Sequence, residues 1–537
     1  MTAAEEQITA EVAAGHSWVD LADLPLADRI VSAEFLDHLL SPDGGLGRIV
    51  ALHLKAARVV GTLDLSFRRI ETALDLRECD FEQVPRFGRT TIPALDVVDC
   101  HMPGLWANAL KVEGSLCLDR SVFEGPISLI GCEIGDDLIL NDATATTWQD
   151  NPVVSLYGAK IGCNLSLSDV TFRGLLRLAQ ATVGATVLLD RARLSGPESL
   201  KGALRPALDA TGLSVGGQLD IRGATVQGEM LLSDISVGRV VDLSGTKIDN
   251  SLGDAVTLDG SRVRGDVLLA GATLAGTTRL VGADIAGSVH VSDAHLWSAQ
   301  GESLIMDGAT VHGVLSLHRT HVGAIRLFQT HVTGLDDDLG GGEDGLGSWS
   351  SAHPLDLRGF TFQQLNDEPE SSVALRERWL RGTASYDPAI WRTLSRVYAS
   401  SGQDALARRV NMAQEDDRLA RMPRGPRKFG RWSLRLLIGH GYRPERSFIW
   451  GALVVAAFTL LVSLRSQELT PKPPTSRDAQ PLIYATDVFL PIIDFGEASR
   501  FEAVGAVLVV QWVVIALGWA LSSLFVAAFS QTVRKPS

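Results

Sequence analysis

Several features that mark well-defined protein classes are scarce in this sequence. Aromatic residues make up only 6% of 537 residues, and the five cysteines include no CxxC pair and no neighbouring histidine cluster. Zinc sites and disulfide frameworks need closer grouping. We therefore interpret the cysteines as small buried side chains in a reducing compartment. They are Cys79, Cys100, Cys117, Cys132 and Cys163.

Two motifs of enzymatic chemistry are also missing. The sequence holds no GxxxxGK[ST] and no HExxH, the patterns that build phosphate loops and zinc sites. We predict no catalytic residue, metal or cofactor, and lean against an enzyme. The net charge of −14 argues against nucleic acid as a partner. The first residues lack a basic stretch followed by an apolar run, so we expect no signal peptide and a cytosolic location for most of the chain.

What the sequence does contain is a repeat. Aliphatic or phenylalanine side chains recur at every eleventh position, and short alternating pieces such as Leu219 and Ile221 are typical of strands. Val311, Val322 and Val332 continue the spacing with one slip to 10, and looser copies run back through Val122 and Val112 to Phe81 and Ile70. The three regular sets are Val215, Val226, Val237, Ile248; Val263, Leu274, Ile285, Leu296; and Ile161, Phe172, Val183, Leu194.

Five-residue phrases lie inside each repeat, among them ADIAG at Ala283–Gly287 and ATLAG at Ala272–Gly276. They resemble the pentapeptide-repeat family, whose motif is A-[DN]-L-x-x. The resemblance covers roughly residues 50–335 and implies a mainly β fold, a right-handed, quadrilateral, parallel β-helix. It implies no activity. Such a solenoid is either a rigid spacer or, as we favour, a surface for an unknown protein partner.

Both ends of the repeat carry other patterns. Ala27–Leu40 reads as an amphipathic helix with Ser32 as N-cap, which we expect to plug the coil. Gly334–Ser351 is rich in glycine and acids. Its Asp336–Asp338 run suggests calcium, but no EF-hand spacing follows, so we favour a solvated loop.

The pattern then becomes helical and the charge reverses. Asp387 and Pro388 begin a helical hairpin that breaks at Gly402, which we interpret as a connector or oligomerisation surface. A basic cluster follows, just before an apolar run. Nucleic acid is conceivable, but this position favours contact with anionic lipid headgroups. The predicted headgroup contacts are Arg427, Lys428, Arg431, Arg435, Arg443 and Arg446.

Two uncharged runs, Phe448–Leu464 and Ala503–Phe529, are long enough to span a bilayer. Basic residues precede the first, and Arg534 and Lys535 follow the second. This predicts a two-span protein of the inner (plasma) membrane with both termini in the cytoplasm.

The segment between the runs is too apolar for a plain linker. The order of span, semi-apolar loop and span resembles two-helix potassium-channel pores, with Ile493–Glu497 in place of V-G-Y-G-D and Gly518 as a candidate hinge of the inner helix. Asp494 stands where the filter needs glycine, which argues against potassium selectivity. Either the carboxylates form an acidic ring in a tetramer, or the loop only stabilises the two helices. The pore-loop candidates are Asp487, Pro491, Asp494, Phe495, Gly496 and Glu497.

Together these patterns resemble actinobacterial membrane-anchored chains that are often labelled membrane-associated oxidoreductases, although no flavin, nicotinamide, haem or iron–sulfur motif supports that label. We predict a membrane-anchored scaffold, with an oligomeric pore or an oxidoreductase as alternatives. The predicted domains are a helical cap over 1–46, the β-helix over 47–365, a hairpin and basic neck over 366–446, and the two spans with their loop over 447–535.

Overall fold

Short parallel strands stack into a solenoid of about twelve turns. The computed structural model describes residues 1–41, 49–147, 152–197, 205–341, 346–349, 355–366, 369–383, 385–443, 445–472, 478–490 and 492–533. The chain divides into two compact units, Met1–Thr393, which holds the solenoid, and Leu394–Ser537, which is mainly helical.

The eleven-residue spacing corresponds to half a turn. Ser214 pairs with Ser236, and Leu219 with Val241, so that one full turn consists of two repeats. The anchors of the three regular sets are at most 3% exposed, because residues at the same position in successive turns point into one continuous core. The predicted parallel β-helix is confirmed, while its right-handed winding stays a prediction.

Each complete turn contributes strands to four ladders, which we number in the order in which the turn that begins at Leu95 passes through them. The first ladder comprises Trp18–Asp20, Ala51–Lys55, Ala73–Arg77, Leu95–Val98, Leu116–Cys117, Leu138–Ile139, Leu165–Ser166, Val187–Leu188, Leu219–Asp220, Val241–Asp242, Val267–Leu268, Val289–His290, Thr310–Ser316, His331–Asp336 and Gln364–Leu365. The second comprises Ile30–Ser32, Arg58–Val60, Asp80–Phe81, His101–Met102, Val122–Phe123, Thr144–Thr146, Thr171–Arg173, Arg193–Ser195, Thr225–Gln227, Lys247–Thr257, Thr273–Arg279, His295–Trp297 and His321–Val322.

The third ladder comprises Leu105–Trp106, Ile127–Ser128, Val154–Ser155, Leu176–Arg177, Leu208–Asp209, Met230–Leu231, Lys247–Thr257, Thr273–Arg279, Glu302–Ile305, Ala324–Arg326 and Leu355–Asp356. The fourth comprises Thr91–Ile92, Lys111–Val112, Glu133–Ile134, Lys160–Ile161, Thr182–Val183, Ser214–Val215, Ser236–Val237, Arg262–Val263, Asp284–Ile285, Thr310–Ser316 and His331–Asp336. A strand that is named in two ladders is long enough to bend across both of them.

The corners between ladders repeat with the same period. Arg120, Gly131 and Asp142 follow one another at the spacing of the repeat, and all three have a positive φ. This left-handed conformation turns the chain, and glycine adopts it without the steric cost that other residues meet.

One predicted anchor is wrong by a single residue. Val122 is 43% exposed, whereas Phe123 is 1% exposed and fills the core. Successive side chains of a strand point to opposite faces, so a shift of one residue exchanges inside for outside.

Helices lie at both ends of the solenoid and form the second unit. They are α1 (Ala3–Ala13), α2 (Ala33–Leu39), α3 (Pro369–Arg381), α4 (Pro388–Ser400), α5 (Asp404–Arg421), α6 (Pro426–Ile438), α7 (Glu445–Leu464), α8 (Pro481–Phe489) and α9 (Gly505–Val533).

The helix predicted near the N-terminus is present but shorter, as α2. Ser32 Oγ accepts the N–H of Phe35 and begins α2, but Ile30–Ser32 is a strand that pairs with Arg58–Val60. The β-branched residues before Ser32 thus extend the second ladder instead of the helix. The buried Glu5 carboxylate of α1, a helix that we did not predict, accepts the N–H and O–H of Ser32.

The prediction of a solvated loop from Gly334 onward is wrong at its start. His331–Asp336 is a strand, and Asp337 is buried, because its carboxylate forms an ion pair with Arg376 of α3. The predicted start of the hairpin is confirmed: Asp387 Oδ1 accepts the N–H of Ala389 at 2.8 Å, one residue inside α4.

Candidate functional site: the apolar helices, their loop and the basic helix

Two helices of the second unit, α7 and α9, are long and apolar enough to cross a membrane. They begin within three residues of the predicted runs. A third helix, α8, packs against both through a core of mostly apolar side chains. That core includes Phe458 and Val462 from α7, Tyr484, Val488 and Phe489 from α8, and Val507, Val514 and Leu521 from α9.

The contact between α8 and α9 depends on Gly518, the predicted hinge. A Cβ atom at Gly518 would lie 2.0 Å from the carbonyl oxygen of Phe489, so only glycine permits this approach. On the other side, a Cβ at Gly451 of α7 would lie 3.1 Å from the Phe489 ring. The end of α8 is thus held between two glycines. α9 runs through Gly518 as one helix.

The carboxylates of the predicted pore loop hold the loop in its fold. Asp487 accepts the N–H groups of Phe495 and Ala498, each at 2.7 Å. Asp494 accepts the N–H of Gly496 at 2.7 Å, where φ is +74°. Pro491 lies outside the described residues.

The remaining acid of the loop, Glu497, also bonds within the chain. It accepts the N–H of Gln480 at 3.1 Å and lies 3.6 Å from the Arg500 guanidinium. In a single chain these carboxylates therefore serve as hydrogen-bond acceptors for backbone amides, which stabilises the loop.

Glu468, which our sequence analysis missed, joins the two ends of the segment. Its carboxylate accepts the N–H of Val507 at 2.9 Å and pairs with Arg465 at 2.8 Å. The hydrogen bond from Arg465 and those from the first turn of α9 lower its pKa, since both favour the charged form. Beside it, Leu469–Pro471 pairs antiparallel with Phe501–Ala503. Glu468 and Val507 lie at opposite ends of the loop segment in the sequence, so no local pattern predicts this cap.

The basic helix α6 carries four of the six predicted headgroup contacts, and three of them have partners within the unit. Arg431 pairs with Glu415 at 2.6 Å, and Arg435 with Asp416 at 3.0 Å. Lys428 donates to the carbonyl of Met422 near the end of α5 at 3.0 Å.

The other three cations differ in their contacts. Arg446 donates to the carbonyl of Arg435 at 3.4 Å. Arg427 and Arg443 are exposed, and within the described part of the chain neither has an ion-pair partner. Phe429 and Trp432 are exposed on α6, with ring centroids 6.0 Å apart. The exposed side chains of α6 thus include two aromatic rings and the cation Arg427.

Within the described ranges, no group of three or more metal-ligating side chains comes together. The prediction that the cysteines are buried is wrong for Cys163, which is exposed; Cys117 is partly buried and the other three are buried.

In comparisons with known proteins, the chain matches no family model, no curated protein and no solved structure. The likenesses to pentapeptide repeats and to two-helix pores are therefore likenesses of pattern.

Proposed function

We propose that this chain is a membrane-anchored scaffold: a cytosolic β-solenoid, tethered by α7 and α9, that presents its lateral faces to a protein partner. The observation that carries the proposal is a solenoid with covered ends in the same chain as two apolar helices. Exposed strand edges invite pairing with other chains. With α1, α2 and α3 at its ends, the faces of the ladders are left for recognition.

The basic residues support the orientation. Cations concentrated before α7 favour the cytoplasmic side. We expect α6 to offer Arg427 and two aromatic rings to an anionic leaflet, together with Arg443 in the segment between α6 and α7. The membrane proposed is the inner (plasma) membrane, with both termini in the cytoplasm.

Photocrosslinking of the full chain in its native membranes tests the scaffold. We would place p-benzoylphenylalanine at Trp106, Lys160 or Arg193, which are exposed on the third, fourth and second ladders. The expected result is a discrete adduct with one protein from at least one ladder, dependent on irradiation. The absence of any adduct from all three positions would contradict the scaffold.

A second candidate function, an oligomeric pore, is favoured by α8. A short helix that packs between two long apolar helices and ends at a glycine of the second one resembles the pore helix of two-helix channels. Such a pore requires several chains, four by that resemblance, with the solenoid as sensor or assembly domain.

The mass of the detergent-solubilised protein tests the pore hypothesis, because it gives the number of chains in the assembly. A tetramer whose liposomes conduct ions, with conductance altered by Asp494→Asn or Glu497→Gln, would support it. A monomer ends the pore hypothesis and leaves the scaffold standing.

A further inference from the structure

A groove crosses the third ladder near the N-terminal end of the solenoid. Its volume is about 440 Å³, and its lining includes Asp64, Ser66, Phe67, Arg86, Trp106 and Asn108. This size lies in the range of sites that bind small ligands or peptide side chains.

Three exposed aromatic rings on this face each carry a stacked guanidinium. Arg89 lies 5.6 Å from the ring centre of Phe67, Arg86 lies 5.4 Å from Trp106, and Arg177 lies 4.6 Å from Tyr157. The rings are 76%, 52% and 41% exposed, respectively. We call these six residues the aromatic–arginine stripe. Exposed Trp, Tyr and Arg side chains are the types enriched at the energetic centres of protein interfaces.

Phe67 lies at a left-handed corner of the solenoid. Its φ is +62°, and the same corner in the next turns is held by Arg89, Ala109 and Gly131, all with a positive φ. A ring that is three-quarters exposed adds little to the core. The ring is therefore better explained by an interaction outside the chain.

The arginines of the stripe are poorly neutralised. Arg86 lies 4.0 Å from Asp64 and Arg177 lies 3.6 Å from Asp209. Over the ranges that the structure describes, Arg89 has no ion pair.

Arginines in the later turns are paired closely. Arg222–Asp220, Arg279–Asp259 and Arg358–Asp356 are 2.6 to 2.7 Å apart. The stripe is thus a cationic region on a chain whose net charge is −14, and the partner that complements it is acidic.

The stripe runs along the solenoid axis. Arg86, Trp106, Ser128, Ser155 and Arg177 are successive register partners. Four spacings of ~4.8 Å give a row of ~19 Å, and an extended chain rises ~3.4 Å per residue. The row therefore matches about six residues of an extended peptide. Nucleic acid also stacks on aromatic rings, and competition with an oligothymidylate distinguishes it from a peptide.

We propose that the aromatic–arginine stripe binds an extended acidic peptide segment of the partner protein. The carboxylates of that segment pair with Arg86, Arg89 and Arg177, and its apolar side chains pack against Phe67 and Trp106. This inference rests on the proposed scaffold function and names where on the solenoid its partner docks.

The test uses the full chain in nanodiscs of phosphatidylcholine, which carries no net charge. The probe is a fluorescein-labelled peptide of eight residues that alternates Glu and Leu, and binding is followed by fluorescence anisotropy. We expect saturable binding that weakens as NaCl rises. Arg86→Gln combined with Arg89→Gln should raise the Kd at least tenfold.

Phe67→Gly separates binding from folding. It removes the ring and suits the left-handed corner, so we expect weaker peptide binding with a Tm that is unchanged or higher. A matched control lies two residues beyond two strands of the same ladder: Arg358 stacks on Phe328 at 5.2 Å but is paired with Asp356. Phe328→Ala with Arg358→Gln should change the Kd by less than twofold.

Several results would overturn the proposal: no binding, equal binding of a peptide with Gln in place of Glu, or displacement of the peptide by an eight-residue oligothymidylate, which would point to nucleic acid. The photocrosslinking experiment distinguishes failure of the stripe proposal from failure of the scaffold proposal. Adducts from Lys160 or Arg193 but none from Trp106 would retain the scaffold and reject the stripe.

Discussion

At the scale of single residues, the most heavily buried charge in the first unit is the ion pair of Asp337 and Arg376, whose side chains are fully inaccessible to solvent. Two hydrogen bonds of 2.7 and 2.8 Å join them, and Trp349 Nε1 donates to the same carboxylate at 2.6 Å. The Arg376 guanidinium also lies 5.2 Å from the Trp379 ring. These contacts satisfy both charges and fix α3 beside the last turns.

Arg376→Met should therefore be strongly destabilising. It leaves the Asp337 carboxylate buried without its cation, which typically costs about 3–5 kcal/mol. Urea unfolding of the full chain, followed by tryptophan fluorescence, measures the loss. Combining Arg376→Met with Asp337→Asn should recover much of it, because the remaining groups are neutral. Arg319→Met, which breaks the exposed pair with Asp293, is the control and should leave the unfolding free energy nearly unchanged. Equal losses for the two arginine variants would contradict this account.

The cysteines give a second prediction at this scale. Burial raises the pKa of Cys117 to about 11 and that of Cys132 to about 12, so at pH 8 only about one Cys117 in a thousand is a thiolate, the reactive form. Cys163 is exposed. We expect N-ethylmaleimide to add once to the folded natural chain in detergent and not at all to folded Cys163→Ser. After unfolding, the natural chain should take up five adducts. Intact mass spectrometry counts the adducts, and a second fast adduct on the folded chain would count against the buried core described here.

At the scale of elements, regular spacing made the solenoid predictable from sequence. Its anchors recur with a constant period because each half-turn needs one inward side chain at the same place, and alternation then fixes which neighbours are inside. Val122 shows the limit of that reasoning, since two adjacent apolar residues satisfy the same spacing. The strand at Ile30–Ser32 shows another, because a residue preference for strands overrode a helical pattern.

The candidate site was less predictable, because its contacts join residues that are distant in sequence. The sequence indicated two apolar helices and a semi-apolar loop between them. It did not indicate that Glu468 caps α9, that Gly518 lies against the end of α8, or that Asp487 holds the loop at Phe495 and Ala498. Each contact depends on how the helices pack. From the sequence alone, the same acidic residues were also compatible with an acidic ring in a tetramer.

Gly518→Ala tests the packing of α8. The added methyl group would overlap the Phe489 carbonyl, and we expect a loss of about 1–3 kcal/mol, as for other overpacked sites. The thermal stability of the chain in detergent, read from protease resistance of the 465–502 segment, measures the change. Gly430→Ala in α6 is the matched control, since a Cβ there meets no atom within 4 Å and alanine favours a helix. Similar behaviour of both variants would mean that α8 does not depend on this contact.

At the scale of the whole molecule, charge is distributed unevenly along the sequence. The segment from Arg418 to Arg446 holds nine basic side chains and a single acidic one, Glu445, whereas the segment Arg465–Glu502 holds four basic and six acidic side chains. Short cationic segments beside a span are retained in the cytoplasm. The solenoid, which precedes the cationic segment, and the loop, which follows α7, are therefore expected on opposite sides of the bilayer.

Cysteine labelling in intact bacterial cells that produce the chain tests this arrangement. Cys163 reports on the solenoid, and Ile492→Cys in a Cys163→Ser background reports on the loop, where Ile492 is 86% exposed. A membrane-impermeant maleimide should label Ile492→Cys in intact cells and Cys163 only after lysis, because the bilayer shields the solenoid from the reagent. Labelling of Cys163 before lysis would reverse the orientation. Labelling of both positions only after lysis would place the loop in the cytoplasm, and α7 and α9 would then form a re-entrant hairpin or a soluble helix pair instead of two spans.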